Sequence, residues 1–306
     1  MKKIIIAFLL LLASIAQADP YKEIPKNVKF IMPYGTGSIV DAQYRHFQKF
    51  MEARGINVIG SYKPGAGGIV ASIDLLDSPR DGSVIMMNAT SNSWIAETRL
   101  GKKVIEPLMS TGGSGIVMIT YPGSIYENYD NLVVAIKNND SNVKVGWQGV
   151  GNILSMNQLA EKLNSNPVLM VPYKSSVDSS RDVIGKHLPL ALIPLNTAKS
   201  LSDAGSVKIV FGFGPGKIIP ADVLDIKKRI PSWRHGELFF VGVPPGTDSK
   251  IIKAWSTILK EWLDDKETEE YFKKVYFGKD VGGPEYVNEV IAHQGASLKK
   301  YNVEIK

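Results

Sequence analysis

The sequence predicts an α/β protein of two lobes, each a mostly parallel sheet flanked by helices. Three observations carry that expectation. Apolar segments of strand length alternate with helix-periodic stretches through most of the chain. Two of the strand-to-helix turns, "PYGTGSIVD" at 33–41 and "QGVGNILS" at 148–155, share the order Gly-x-Gly, small polar residue, Ile, aliphatic residue. The final stretch from about 248 loses the strand segments and becomes helical.

The apolar segments are "VKFIM" (28–32), "INVIG" (56–60), "SVIMMN" (83–88), "GIVMITY" (115–121), "VKVGW" (143–147), "VLMVPY" (168–173), "LPLALI" (188–193), "VKIVFGF" (207–213) and "LFFVGV" (238–243). Each is short and rich in branched or aromatic residues, the composition of buried strands. Helical spacing between them is clearest where Val40, Tyr44, Phe47 and Met51 recur every three to four residues before Gly55 ends the pattern. Alternation of this kind implies sheets covered by helices. "DSKIIKAWSTILKEWLDD", "ETEEYFKKVYF" and "GPEYVNEVIAHQGASLKKY" predict three C-terminal helices with charged outer faces, and "KVYFGKDVGG" reads as a surface turn. A second lobe is expected over 123–236, between "YPGS" and "PSWRHGE", with 19–122 and 237–306 forming the first. A chain that leaves one lobe and returns has two crossover strands, the geometry of a hinge.

Residues 1–18 read as a leader peptide. Lys2 and Lys3 precede the apolar run "IIIAFLLLLA", and "AQA" at 16–18 is a small-x-small cleavage signal, so cleavage is expected after Ala18. The run is too short to span a bilayer. The expectation is therefore an exported, soluble, monomeric protein. The net charge of +6, or +4 without Lys2 and Lys3, is spread along the chain, which suits small anions and argues against a nucleic-acid partner. With no cysteine, stability must come from the cores.

The chemistry centres on the two glycine turns. In an open α/β sheet, ligands sit beyond the carboxyl ends of the strands, where loops feed helix N-termini. Each helix start offers unpaired N–H groups and a positive dipole end, and glycine lets a ligand approach the backbone. Ser38 and Asn152 fit the N-cap position, and Ser38 with Asp41 resembles a capping box. Either turn alone is equally well read as simple capping. Two matched turns in two lobes point to a shared site for a doubly anionic ligand.

Enzyme signatures are weaker. Val40 stands where a dinucleotide fingerprint needs its third glycine, and "PGAGG" at 64–68 is also incomplete. Neither a Gly-Lys-Ser/Thr phosphate loop nor a G-x-S-x-G nucleophile turn occurs. His46, His187, His235 and His293 are scattered, and the acids form no evident pair. No cofactor and no metal are expected.

The ordered set "VKFIMPYGTGSIVD", "KPGAGGIVAS", "DG" before "SVIMMN", "GVGN", "VPYKSS" and "FFVGVPPGTD" resembles the extracytoplasmic receptors of tripartite tricarboxylate transporters, the Bug or TctC-like family. The resemblance covers essentially the whole chain after the leader. It implies a two-lobed periplasmic binding protein that closes on an organic carboxylate and delivers it to a membrane permease. By that resemblance Tyr34, Gly35, Thr36, Gly37, Ser38 and Asp41 form the first-lobe ligand loop. Thr90, Ser91 and Ser93 are implied as hydroxyl contacts, and Gln148, Gly149, Val150, Gly151, Asn152 and Ser155 as the second-lobe loop. Tyr173 and Lys174 are implied to border the cleft.

The chain departs from the family pattern at Thr36 and Ser38, which interrupt a loop usually richer in glycine. "LPLALIPLNTA" at 188–198 places Pro189 and Ile193 where the family often has acids, which weakens the case for an amino-acid ligand. Trp94, Trp147, Tyr34 and Phe239 can stack on an aromatic acid, but aromatics at strand ends more often complete a core. Trp255, Trp262 and Tyr271 read as packing, and Lys63 and Arg45 as solvated cations. A periplasmic hydrolase or lyase, or a ligand-sensing partner of a two-component sensor, remains open on sequence alone.

Overall fold

A computed structural model describes residues 19–173, 175–215, 217–233 and 237–301. The leader, Lys174 and His235 lie outside the described residues. Two sheets organise the chain. The first has strand order β11-β4-β10-β3-β1-β2, from β1 (Asn27–Met32), β2 (Asn57–Tyr62), β3 (Val84–Ala89), β4 (Glu106–Ser114), β10 (Phe239–Val243) and β11 (Phe277–Gly278). The second has order β7-β6-β8-β5-β9, from β5 (Ile116–Thr120), β6 (Lys144–Trp147), β7 (Leu169–Pro172), β8 (Leu190–Pro194) and β9 (Lys208–Phe213).

All nine apolar segments are strands, yet both sheets are mixed rather than mostly parallel. β1 pairs in parallel with β2 and β3, whereas β10 runs antiparallel to β3 and β4, and β11 antiparallel to β4. β6 is parallel to β7 and β8, while β5 is antiparallel to β8 and β9. A strand buried on both faces is apolar throughout in either direction, so composition carries no sign of orientation. The antiparallel strands β5 and β10 are those that follow a passage between sheets. β5, placed before the division at 122 on sequence grounds, pairs in the second sheet, so the chain passes between sheets at Gly115. There Gly115 donates its N–H to Tyr276 O at 3.2 Å and accepts from Leu195 N at 2.8 Å, bonding to both sides.

Strand alternation decides the layers. On one face of the first sheet, Phe30 and Met32 pack with α1 (Ile39–Glu52), α8 (Ser249–Asp264) and α9 (Lys266–Lys274). On the other, Ile31 and Met86 meet α2 (Ile69–Leu76), α3 (Thr90–Leu100) and α10 (Pro284–Lys300). Val40, Tyr44, Phe47 and Met51 of α1 are buried as their spacing requires. Trp255 and Trp262 are fully buried, and Tyr271 packs beside them. In the second sheet, Met118, Leu190 and Leu192 face α4 (Tyr129–Lys137) and α5 (Val150–Lys162), while Val117, Ala191 and Ile193 face α6 (Ser176–Ile184) and α7 (Leu195–Asp203).

β4 and β11 escaped the sequence reading. "EPLMSTGGS" has no apolar run, and its Gly112 adopts φ +128 so that the strand can approach Gly278, whose carbonyl oxygen would lie 2.0 Å from a Cβ at that position. The expected surface turn at "KVYFGKDVGG" therefore contains an edge strand, and its Phe277 is buried in the first core.

Candidate functional site

Both glycine turns leave the carboxyl ends of parallel strands, β1 and β6, and enter α1 and α5. In the first, Ser38 is the N-cap and its Oγ accepts from Asp41 N at 3.2 Å. Asp41 does not return a bond to Ser38 N–H as a capping box would. Its Oδ2 accepts from Gly37 N at 2.7 Å instead, and its Oδ1 takes the Tyr62 hydroxyl at 2.6 Å and Arg45 Nε at 3.1 Å. Burial alone would raise the Asp41 carboxyl, but the Tyr62, Gly37 and Arg45 contacts together hold it below its ordinary value. Gly35, Thr36 and Gly37 are exposed, and added Cβ atoms at the two glycines would meet open space.

The second turn differs. Gly149, not Asn152, is the N-cap of α5, at φ +83 and ψ 141, and no side chain caps the helix. Asn152 falls inside the first turn, where its amide bonds Gln148 O at 2.8 Å. The helix starts earlier than expected because glycine's positive φ lets the chain turn there. Gly149 too faces open space. Val150 is buried against Ile95 of α3 and Leu298 of α10, so the second turn abuts the first lobe. Farther along the same contact, Glu161 accepts from Lys300 Nζ at 2.7 Å and from the Tyr301 hydroxyl at 2.6 Å.

Between the turns stands the start of α3. Thr90, Ser91 and Ser93 are fully buried, and all three hydroxyls have protein partners. Thr90 Oγ1 donates to Gln294 Oε1 at 2.7 Å and accepts from Leu238 N at 3.3 Å, tying α3 to α10 and to the segment before β10. Ser93 Oγ accepts from Asn88 Nδ2 at 2.9 Å. Ser91 Oγ makes a short bond to Glu237 Oε1. Asn92 Nδ2 donates to the Tyr34 hydroxyl at 2.9 Å. Burial, then the nearby Glu237 charge, raises that phenol well above its ordinary value, so it stays neutral.

Glu237 joins the two sides. A Cβ added at Gly151 of α5 would lie 2.9 Å from both its Cβ and its Oε2, so the bare face of Gly151 is what admits this side chain. Burial raises the Glu237 carboxyl above its ordinary value, and the Ser91 bond offsets this only in part. Glu237 was not among the residues expected from the sequence, which predicted mostly parallel sheets and gave β10 no direction of its own. Run antiparallel, β10 pairs Phe239 with Ala89 and so brings its start, not its end, to the carboxyl end of β3.

Other expected residues point elsewhere. The Tyr173 hydroxyl donates to Asp182 Oδ2 at 2.6 Å; burial first, and then this bond, pushes the phenol up to about 12, and its ring packs on the second core. Ser155 Oγ bonds Gly151 O at 2.9 Å within α5. Trp94 lies against Gly295 of α10. His46 stacks on Tyr271 at 4.5 Å between centroids. Lys63 and Arg45 are paired with Asp74 and Asp41. Among the described residues, no group of three or more His, Cys, Asp or Glu side chains could hold a metal ion.

Two sheets flanked by helices, with the chain crossing between them at Gly115 and again before β10, define the two-lobed fold of periplasmic binding proteins. The profile of the tripartite tricarboxylate transporter family receptor, TctC, matches residues 45–299, and the chain belongs to that family. It is 24% identical over 263 residues to a UPF0065 protein of Bordetella pertussis, covering 83% of this chain and 80% of that one. Among solved structures it resembles periplasmic binding protein BugD, with TM-score 0.74, 21% identity, and 91% and 98% of the two chains covered. It also resembles R. palustris Rpa4515 with adipate, with TM-score 0.77, 17% identity, and 90% and 97% covered. MatC (Rpa3494) from Rhodopseudomonas palustris with bound malate gives TM-score 0.70, 15% identity, and 89% and 98% covered.

Proposed function

We propose that this chain captures a small organic carboxylate between its two lobes and delivers it to the permease of a tripartite tricarboxylate-type transporter. The observation that carries this is the pair of glycine turns at helix starts in the two lobes, at 33–38 and 148–149, linked through Asn92, Ser91 and Glu237, with the Gly35, Gly37 and Gly149 positions open. Backbone N–H groups at two helix starts suit a ligand with anionic ends. The adipate and malate bound by the structural neighbours are dicarboxylates, which fits that arrangement.

On this reading Tyr34, Gly35, Thr36 and Gly37 contact the ligand from the first lobe, and Gln148, Gly149 and Val150 from the second. Thr90, Ser93 and Ser155 hold the walls. The lobes hinge near Gly115 and in the return segment before β10, and ligand shifts the open and closed populations by its preference for the closed form. The chain works as an exported monomer cleaved after Ala18, and its role is binding without turnover.

A thermal-shift screen of ligand-stripped protein against dicarboxylates, tricarboxylates, aromatic acids, amino acids and neutral sugars tests this. A ligand at about 100 times its dissociation constant stabilises by roughly 2.7 kcal/mol, a shift of a few degrees. Stabilisation by one carboxylate class and none by sugars is expected. A response to sugars alone, or chemical conversion of the bound carboxylate, would overturn it.

A further inference from the structure

α5 serves both lobes. Met156 and Leu159 on one side of it belong to the core of the second sheet. Val150, Leu154, Gln158 and Glu161 recur every three to four residues along another side of the same helix. Val150 and Leu154 are buried there with Ile95 of α3 and Leu298 of α10, both carried by the first lobe. α10 is divided in the same way. Its Val287 and Ile291 pack within the first lobe, while Leu298 and the capping residue Tyr301 turn to α5. At the outer end of this seam Glu161 accepts from Lys300 Nζ and the Tyr301 hydroxyl, and these two bonds hold its carboxyl below the ordinary value. The seam is small and incompletely filled. Beside Glu161 a cavity of about 620 Å³ stands between Lys162 of α5, Trp233, and His293 and Ser297 of α10. Permanent joins are packed without such voids, and lobes joined by a contact that is not large and apolar stay free to move apart. Val150 directly follows Gly149, so the helix whose start is left open for a ligand is also the helix that the first lobe grips.

We propose that the seam between α5 and the end of α10 is a clasp that holds the lobes closed, so that Leu154, Leu298 and the Glu161–Lys300–Tyr301 cluster set ligand affinity without touching ligand. The inference rests on the hinged-receptor reading above and adds what sets its open and closed populations. Parting the lobes returns Leu154 and Leu298 to water and separates the charges, which favours the joined form. Apparent affinity scales with the fraction of protein in the form that binds.

The chain has no cysteine, so Lys102→Cys in the first lobe and Lys137→Cys in the second, both at exposed positions, can carry a dye pair for energy transfer. Malate and adipate serve as probes. Leu154→Ala should lower the closed-to-open ratio about tenfold, moving the ligand-free transfer efficiency in the direction opposite to that produced by ligand and weakening binding by up to the same factor. Glu161→Lys sets like charges at Lys300 and should act in the same direction severalfold, less so at high salt. Adding Lys300→Glu to it should restore the parent behaviour. Leu154 lies outside the core of the second sheet, so its variant should still melt cooperatively; if it does not, the charge exchange decides alone. Unchanged transfer and affinity in Leu154→Ala and Glu161→Lys would overturn the clasp and make the seam a fixed join about which the lobes turn. A Glu161→Lys effect that Lys300→Glu fails to reverse would overturn it as well. If no carboxylate binds or alters transfer, the receptor reading fails instead, and the ligand-free efficiencies of parent and variants still decide the clasp.

Discussion

The first glycine turn carries its own anion, and the second carries none. At Pro33–Ser38 the Asp41 carboxylate already holds the Gly37 N–H, and Arg45 and Tyr62 balance its charge. At Gln148–Gly149 the helix begins on a bare glycine, without a side-chain cap and without an acid in its first turn. Asp41 at a helix start is favourable for the helix but uses part of the positive end that an incoming anion would meet. The first turn is thus a preset wall of fixed shape, stabilised from within. The second keeps its donors for a ligand, and the helix start is correspondingly less self-sufficient. Stability resides in one turn and electrostatic attraction in the other.

Valine at the two glycines separates these roles most sharply. Gly149 has φ +83, and a β-branched residue there costs about 1–3 kcal/mol in backbone strain as well as filling the turn. Gly149→Val should lower the melting temperature and remove ligand binding altogether. Gly35 has neither a positive φ nor any atom within 4 Å of an added Cβ, so Gly35→Val should leave stability within about 0.5 kcal/mol while its methyls obstruct the cleft. Paired thermal melts and ligand titrations check this. Equal destabilisation by the two variants would break the comparison.

Much of this contrast was out of reach of the sequence for definable reasons. Nine strands, the C-terminal helices and the placement of both turns were legible, because burial periodicity and Gly-x-Gly before an amphipathic run are local signals. Strand direction was not, since Phe239–Val243 is buried on both faces and reads the same either way. The place of Glu237 beside the end of β3 follows from that direction. β4 was illegible because Gly112 serves backbone approach and the segment has no apolar pattern to betray a strand. Thr90, Ser91 and Ser93 were expected to offer hydroxyls to a ligand, but whether a hydroxyl faces a ligand or a neighbouring element depends on long-range partners such as Gln294 and Leu238.

Asp41 supplies the next largest effect. Asp41→Ala strands the Gly37 N–H and the Tyr62 hydroxyl, which should cost about 1–3 kcal/mol. Asp41→Asn gives the pH signature. A carboxyl held below its ordinary value stabilises the fold above the unfolded pKa of about 3.9, and that contribution is lost as pH falls through the lowered folded value. Urea melts should therefore show the parent more stable than Asp41→Asn near neutrality, with the gap closing as pH drops below about 4. Variants at Gly149 should show no such acid-dependent gap relative to the parent. A gap that widens on acidification would mean that Asp41 is a strained acid and not the internal anion of the first turn.

The smallest effects test capping itself. Ser38→Ala removes the bond to Asp41 N and should cost about 1 kcal/mol, the usual worth of an N-cap side chain. Asn152→Ala removes only a bond from an exposed amide to Gln148 O, already inside the helix, and should cost about 0.5 kcal/mol or less. In chemical denaturation the two substitutions should thus rank in that order, although Ser38 and Asn152 hold equivalent places in the two sequence motifs. Equal costs would mean that the second helix is capped by its asparagine after all. The positive helix end left open at Gly149 would then be smaller than its geometry indicates, and the division of labour between the turns would weaken with it.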